Sequence, residues 1–251
     1  MCSSDLVDQL PALIAAANPW WLLAAIAIYY LGFPLRGYRW ALLVRGTGFP
    51  LSTRDSTEII LISWLVNCVV PAKLGDVYRA YLLRVNYLVS LSTSFGTIVI
   101  ERVFDLIAIV LMGLVAGYWS FRSGLSPEVQ AIFLVGIAVV VLLVAALLIV
   151  RNFGRRILEA LPIPKRIVSM YDLFEEGIFS VDRRSLPVVI VVTVAIWMTE
   201  ALRLLFVVEA LGFSDIHLGI SGAIFVALIA SLLTAVPLTP DRKSTRLNSS
   251  H

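Results

Sequence analysis

The sequence predicts an all-α fold: a polytopic helical membrane bundle with a broken re-entrant helical hairpin and one helix at the cytoplasmic interface. Three observations predict it. The 251 residues are 59% hydrophobic and 15% charged, with mean hydropathy +0.92, whereas a soluble domain is about half apolar and about a quarter charged. Several runs reach the roughly 20 apolar residues that cross a bilayer; AIFLVGIAVVVLLVAALLIV (Ala131–Val150) carries no charge at all. Finally, NCVVPAKLGDVYRAYLLR (Asn67–Arg84) sets Pro, Lys, Gly, Asp and two Arg where the apolar run before it should continue as a span.

Six hydrophobic segments follow in order. The first, Pro19–Val44, opens on NPWW, with Trp20 and Trp21 as interfacial anchors. Thr57–Val70 is short and stopped by Pro71. Ser92–Trp119, Val129–Val150, Pro187–Leu211 and Leu218–Leu238 complete the set. Between the fourth and fifth, Lys165–Val181 repeats Ile167, Val168, Met170, Tyr171, Phe174, Ile178 and Val181 at helical spacing, opposite Lys165, Arg166, Asp172, Glu175 and Glu176. That pattern suits a helix lying in the cytoplasmic interface or one packed on the spans.

Positive charge sets orientation. Arg36, Arg39, Arg45 and Arg54 follow the first span, and Arg151, Arg155, Arg156, Lys165, Arg166, Arg183 and Arg184 fill the long loop. The loop after the fifth span, GFSDIH, has no Lys or Arg. The first span therefore exits into the cytoplasm, with the N-terminus outside a cytoplasmic membrane of bacterial type. If Thr57–Val70 crossed fully, the long basic loop would fall outside. If Thr57–Leu83 enters and returns, Arg54 and Arg84 both stay inside and every later span alternates correctly.

Both termini read as foreign. Asp241–His251, DRKSTRLNSSH, reads as a translated sequencing adapter, and Met1–Leu6, MCSSDL, as its reverse complement. The expected organisation is thus residues 7–240 as one transmembrane domain that continues beyond Pro240, flanked by adapter-derived residues 1–6 and 241–251. Without those ends the net charge falls from +3 to +2, which gives no pull toward nucleic acid. Cys68 is left as a single cysteine and His217 as a single histidine. No disulfide framework, zinc site, nucleotide fingerprint or Ser-His-Asp order is expected, and no cofactor.

An ionisable group inside a span costs about 2.5–3.5 kcal/mol and should be paired or line a cavity. Glu101 and Asp105 lie four residues apart, on one face of the third span. They need a cation. Arg102 points about 100° away, so the return arm of the hairpin, with Lys73, Arg79 and Arg84, is the expected source. Glu200 and Arg203 lie one turn apart in the fifth span. The bland reading is a set of structural ion pairs; the sharper one is a polar path for a charged lipid headgroup. The candidate headgroup-binding set is Lys73, Asp76, Arg79, Glu101, Asp105 and Arg203, with Pro71 and Gly75 as the structural break. Arg36, Arg39 and Trp40 are expected to anchor the cytoplasmic boundary.

Three stretches, RGYRWALLVRGTG (Arg36, Arg39, Trp40), NCVVPAKLGDVYRAYLL (Asn67, Pro71, Lys73, Gly75, Asp76, Arg79) and ERVFDL (Glu101, Arg102, Asp105), resemble the membrane domain of lysylphosphatidylglycerol synthases and its stand-alone, flippase-like relatives. The resemblance covers Val7–Pro240. It implies movement of a lipid across the bilayer, with aminoacylated phospholipids or polyprenyl-phosphate-linked sugars as cargo. It does not extend to the soluble aminoacyl-transferase domain that some members append, so no enzyme activity is expected. LVNCVVPAKLGD and LLTAVPLTP are both apolar runs broken at Pro, one in each half, as in transporters with a midplane site. Two rivals remain: a lipid-modifying transferase, for which Asp76 and Glu101 are the available carboxylates, and a non-catalytic partner of a glycosyltransferase or lipid-synthesis enzyme. A lipid-sized cavity holding the charges would favour the translocator; fully paired charges would favour the partner.

Overall fold

The computed structural model describes residues 15–70, 74–120, 127–160, 162–212 and 219–235. Among these the chain is all-helical: α1 (Pro19–Arg45), α2 (Thr53–Val69), α3 (Gly75–Tyr87), α4 (Leu91–Ser120), α5 (Pro127–Glu159), α6 (Lys165–Ile178), α7 (Leu186–Leu211) and α8 (Ile220–Ala235). Among the described residues two helices are, by length and apolarity alone, able to cross a membrane: Phe133–Glu159 within α5, and α7. The most apolar stretch of α5 is nowhere buried inside the structure, so its side chains are free to meet lipid.

Asn18 caps α1 by accepting from the Trp20 N–H at 3.0 Å, with Pro19 in the first turn. Trp20 stays exposed, as an interfacial anchor does. α1 and α7 run antiparallel in contact, and the Asn18 N–H donates to the Ala210 carbonyl at 2.8 Å where the start of one meets the end of the other. At the far end of α1, Arg45 Nε donates to the Leu51 carbonyl at 2.7 Å and sets the turn into α2.

α2 and α3 form the hairpin expected from charge parity. Their 17 and 13 residues reach about 25 and 20 Å, short of the roughly 30 Å hydrocarbon core. The two arms meet at both ends. At the open end, the Tyr87 hydroxyl donates to Asp55 Oδ2 at 2.5 Å. At the tip, the Gly75 N–H donates to Asn67 Oδ1 at 2.7 Å, so Asn67 of one arm caps the first turn of the other, where Leu74 supplies no side-chain cap. A Cβ on Gly75 would overlap the Ser63 carbonyl and the Asn67 side chain; only glycine lets the arms close this far. Pro71 and Lys73 lie outside the described residues.

α5 corrects one boundary. The helix does not stop at Val150 but continues through Arg151, Arg155 and Arg156 to Glu159. Arg is a good helix former, and an i,i+4 pair of Arg155 with Glu159 at 2.9 Å supports the last turn. α6 divides the two readings of its apolar stripe. Its C-terminal half is packed on α4, with Ile178 buried; Gly96 and Gly177 bring the backbones so close that a Cβ on either would overlap the other helix. Its N-terminal half leaves Ile167, Met170 and Leu173 exposed, as a helix at an interface would.

Because the hairpin returns to the end it left, α4 starts there, α5 comes back there and α7 leaves from there. Arg45, Arg54, Arg84, Arg151 and Arg183 thus share one basic end of the bundle. The apolar core sits just beneath it, around Trp40, Leu43, Val44, Ile60, Leu83 and Ile100.

Candidate functional site

Four helices carry polar side chains into the region below that core, three of them charged. Arg39 of α1 is buried, at 1% exposure. Its fork grips Asp105 of α4: Nη1 donates to Oδ1 at 2.6 Å and Nη2 to Oδ2 at 3.1 Å. The same Nη2 donates to Glu101 Oε1 at 2.8 Å, and Nη1 also reaches the Thr193 hydroxyl of α7 at 3.0 Å. Arg79 of α3 donates to the other oxygen of Glu101 at 2.5 Å, and its guanidinium lies 3.8 Å from the centre of the Trp40 ring. Trp197 Nε1 of α7 donates to Asp105 Oδ1 at 3.1 Å. Two carboxylates on one face of a span are thus answered by two guanidinium groups, and every carboxylate oxygen accepts at least one hydrogen bond.

Around this cluster lies a polar cavity of about 80 Å³. Arg36, Asn67, Asp76, Arg79, Glu101 and Arg102 are in its wall, with Arg39 and Asp105. Arg102 is exposed; its Nη2 donates to both oxygens of Asp76 of α3, at 2.8 and 3.0 Å, and its Nη1 lies 3.9 Å from Asp105 Oδ2. The Nε–H groups of Arg39 and Arg79 are buried without an acceptor. Among the described residues no group of His, Cys, Asp and Glu is arranged to hold a metal ion.

A second cluster adjoins the first through Arg36. Arg36 Nη2 pairs with Glu200 Oε1 at 2.6 Å, and Arg203 Nη2 pairs with Glu200 Oε2 at 2.6 Å. Arg203 lies over the Tyr29 ring at 5.3 Å and Arg36 over the Trp64 ring at 5.7 Å.

The structure therefore brings Arg79, Glu101 and Asp105 together and places Asp76 at the cavity's edge, linked by Arg102. It does not bring Arg203 into that group. Lys73 lies outside the described residues. Of the residues expected to anchor the cytoplasmic boundary, Arg39 and Trp40 are buried inside the protein, with Arg39 answering both carboxylates of α4, and Arg36 pairs with Glu200. Arg39 was legible in principle, since the apolar Trp40–Val44 still follows it before α1 ends. Sequence reasoning also missed Thr193 and Trp197. With Glu200 they mark one stripe of α7 at helical spacing, in a helix otherwise almost wholly apolar.

The chain is also similar to known proteins. The pattern described as "Lysylphosphatidylglycerol synthase TM region" matches residues 6–242. The chain is 36% identical over 182 residues to the UPF0104 membrane protein MJ1078 of Methanocaldococcus jannaschii, covering 70% of this chain and 73% of that protein. It is 22% identical over 247 residues to a UPF0104 membrane protein of Methanothermobacter thermautotrophicus, covering 89% and 72%. It is also 34% identical over 115 residues to the glycosyltransferase AglD of Haloferax volcanii, which covers 43% of this chain but 18% of AglD. No solved structure matches it. The buried charges, the broken hairpin and the apolar spans are thus those of a membrane protein, and the chain belongs to the lysylphosphatidylglycerol synthase TM region family.

Proposed function

We propose that the chain is a lipid translocator, moving a lipid with a charged headgroup across the cytoplasmic membrane. Aminoacylated phospholipids and polyprenyl-phosphate-linked sugars are the cargo classes. One observation carries the reading: the cavity has more donors than acceptors. Arg39, Arg79 and Arg102 face the carboxylates of Asp76, Glu101 and Asp105, and Arg36, also in the wall, is paired with Glu200, so the surplus is of N–H donors and not of charge. The oxygens of Glu101 and Asp105 are already engaged, while two buried Nε–H groups are left over. A surplus of guanidinium donors suits phosphate oxygens, which arginine grips in a bidentate fork. Arg203 and Arg102, both exposed, stand at either side of this chain of charges as first contacts.

About 80 Å³ is too little for a whole lipid head, since each water of the liquid already takes about 30 Å³. On this reading the structure is a closed state. The basic end faces the cytoplasm by the positive-inside rule, with the start of the chain outside.

A second reading, a non-catalytic partner of a glycosyltransferase or lipid-modifying enzyme, is favoured by the pairing of the buried charges and by the likeness to part of AglD. Reconstitution in liposomes separates the two. Headgroup accessibility of a labelled lipid is followed with wild type and with the double variant Arg79→Met, Glu101→Leu. Arg39 keeps its fork on Asp105 in that variant, so it is expected to fold, and lipid movement is expected to stop. Movement at the wild-type rate would make the cluster structural. A wild type that moves no lipid would leave the partner reading.

A further inference from the structure

We infer that a second amphiphile site lies at the basic end, in the groove between α4, α5 and the segment after α6, and that it takes a zwitterionic lipid head. The groove holds about 780 Å³, within the range of about 300–1,000 Å³ for ligand pockets, and is nearly ten times the volume of the central cavity. It is separate from the cluster, on another face of α4. Its floor is apolar: Ile100, Phe104, Leu147, Phe179 and Val181.

Its rim is charged, and evenly so. Arg151 and Arg183 supply two cations; Glu175 and Asp182 supply two anions. None of the four forms a side-chain ion pair or hydrogen bond with a described residue, although Arg36, Arg39, Arg79, Arg102 and Arg203 in the central clusters are all paired. Arg151 is positioned by an aromatic ring instead, with its guanidinium 5.8 Å from the centre of Phe179. In the same wall the Ser180 hydroxyl is buried without a hydrogen-bond partner.

A head of one charge sign would meet attraction at one pair and repulsion at the other. A head with a phosphodiester and a primary ammonium satisfies both: guanidinium on phosphate and carboxylate on ammonium. The apolar floor takes the first part of an acyl or isoprenoid chain.

The test uses the whole protein in nanodiscs with a photo-crosslinking phospholipid whose head carries a phosphodiester and a primary ammonium. Labelled peptides are expected to contain Ile100–Phe104, Leu147–Arg151 or Phe179–Arg183. Unlabelled zwitterionic lipid is expected to compete and an anionic phosphodiester lipid to compete about tenfold less well, from two exposed charge contacts. The double variant Glu175→Gln, Asp182→Asn should erase that preference without losing the label, because the cations and the floor remain. Labelling confined to other segments, or equal competition by both lipids in wild type, would overturn the proposal. So would competition by free phosphoethanolamine as strong as by the intact lipid, since the floor would then contribute nothing. The outcome does not depend on whether the chain moves lipid.

Discussion

The two arginine–carboxylate clusters use the same chemistry at different exposure. In the inner one, Arg39, Arg79, Glu101 and Asp105 are each less than a tenth exposed, and four helices converge on them. In the outer one, a single carboxylate, Glu200, is shared by Arg36 and Arg203, and the Arg203 side chain is 42% exposed. A buried ion pair is rigid because any change leaves a charge in a poor solvent. An exposed one exchanges partners with water or a ligand at little cost. The inner cluster fixes the geometry, and the outer one can exchange partners at little cost. Arg36 belongs to both: it pairs with Glu200 and lines the cavity.

The contrast breaks if the two clusters respond alike. The largest effect is expected from Arg39→Met, which leaves Asp105 without its bidentate partner and Glu101 with half its cations. Removing one member of a buried pair costs about 3–5 kcal/mol, enough to lose folded protein. Thermal unfolding in detergent, or recovery of monodisperse protein, reads it. Arg203→Met should cost less than about 1 kcal/mol, because Glu200 keeps Arg36. If Arg203→Met unfolded the protein and Arg39→Met did not, the assignment of rigid and exchangeable clusters would be reversed.

The smallest effect is expected at the rim, outside the membrane-spanning stretches. The Ser52 hydroxyl, and then the Tyr87 hydroxyl, hold the Asp55 carboxyl below the usual aspartate range. Tyr87 is raised to about 12, first by its hydrogen bond to Asp55. The signs follow from linkage. Asp55, with its depressed value, contributes stability above its ordinary pKa and loses it as pH falls through the folded value. Tyr87 contributes below its ordinary pKa of about 10 and loses it as pH rises toward 12. The hairpin's open end should therefore be best protected from hydrogen exchange between these limits. Tyr87→Phe should flatten the alkaline side, and unchanged pH dependence in that variant would remove the latch.

Much of this was legible in the sequence because membranes impose simple rules. Charge parity alone required the hairpin, and the four-residue spacing of Glu101 and Asp105 alone required a cation from the return arm. What was not legible was which arginines leave water. Arg39 lies inside the first hydrophobic segment, which runs on to Val44, but the sequence does not say which helix its side chain faces. Trp197 and Thr193 were hidden for a different reason: neither is charged, and only the fold shows that their stripe faces Asp105 and Arg39. The end of α5 was misplaced because arginines were equated with a loop, although they extend a helix as readily as leucines do.

The pairing of Arg79 with Glu101 also bears on how the protein is made. Arg79 leaves the ribosome 22 residues ahead of its carboxylate partner, on an arm too short to span the bilayer. Until α4 has followed it into the membrane, the hairpin carries an uncompensated cation, and its insertion depends on a helix not yet synthesised. A nascent chain arrested before Glu101 emerges should accordingly be extracted by alkali far more readily than one arrested after α4. Biogenesis of the hairpin is then a joint event of three consecutive helices, timed by the arrival of a single glutamate.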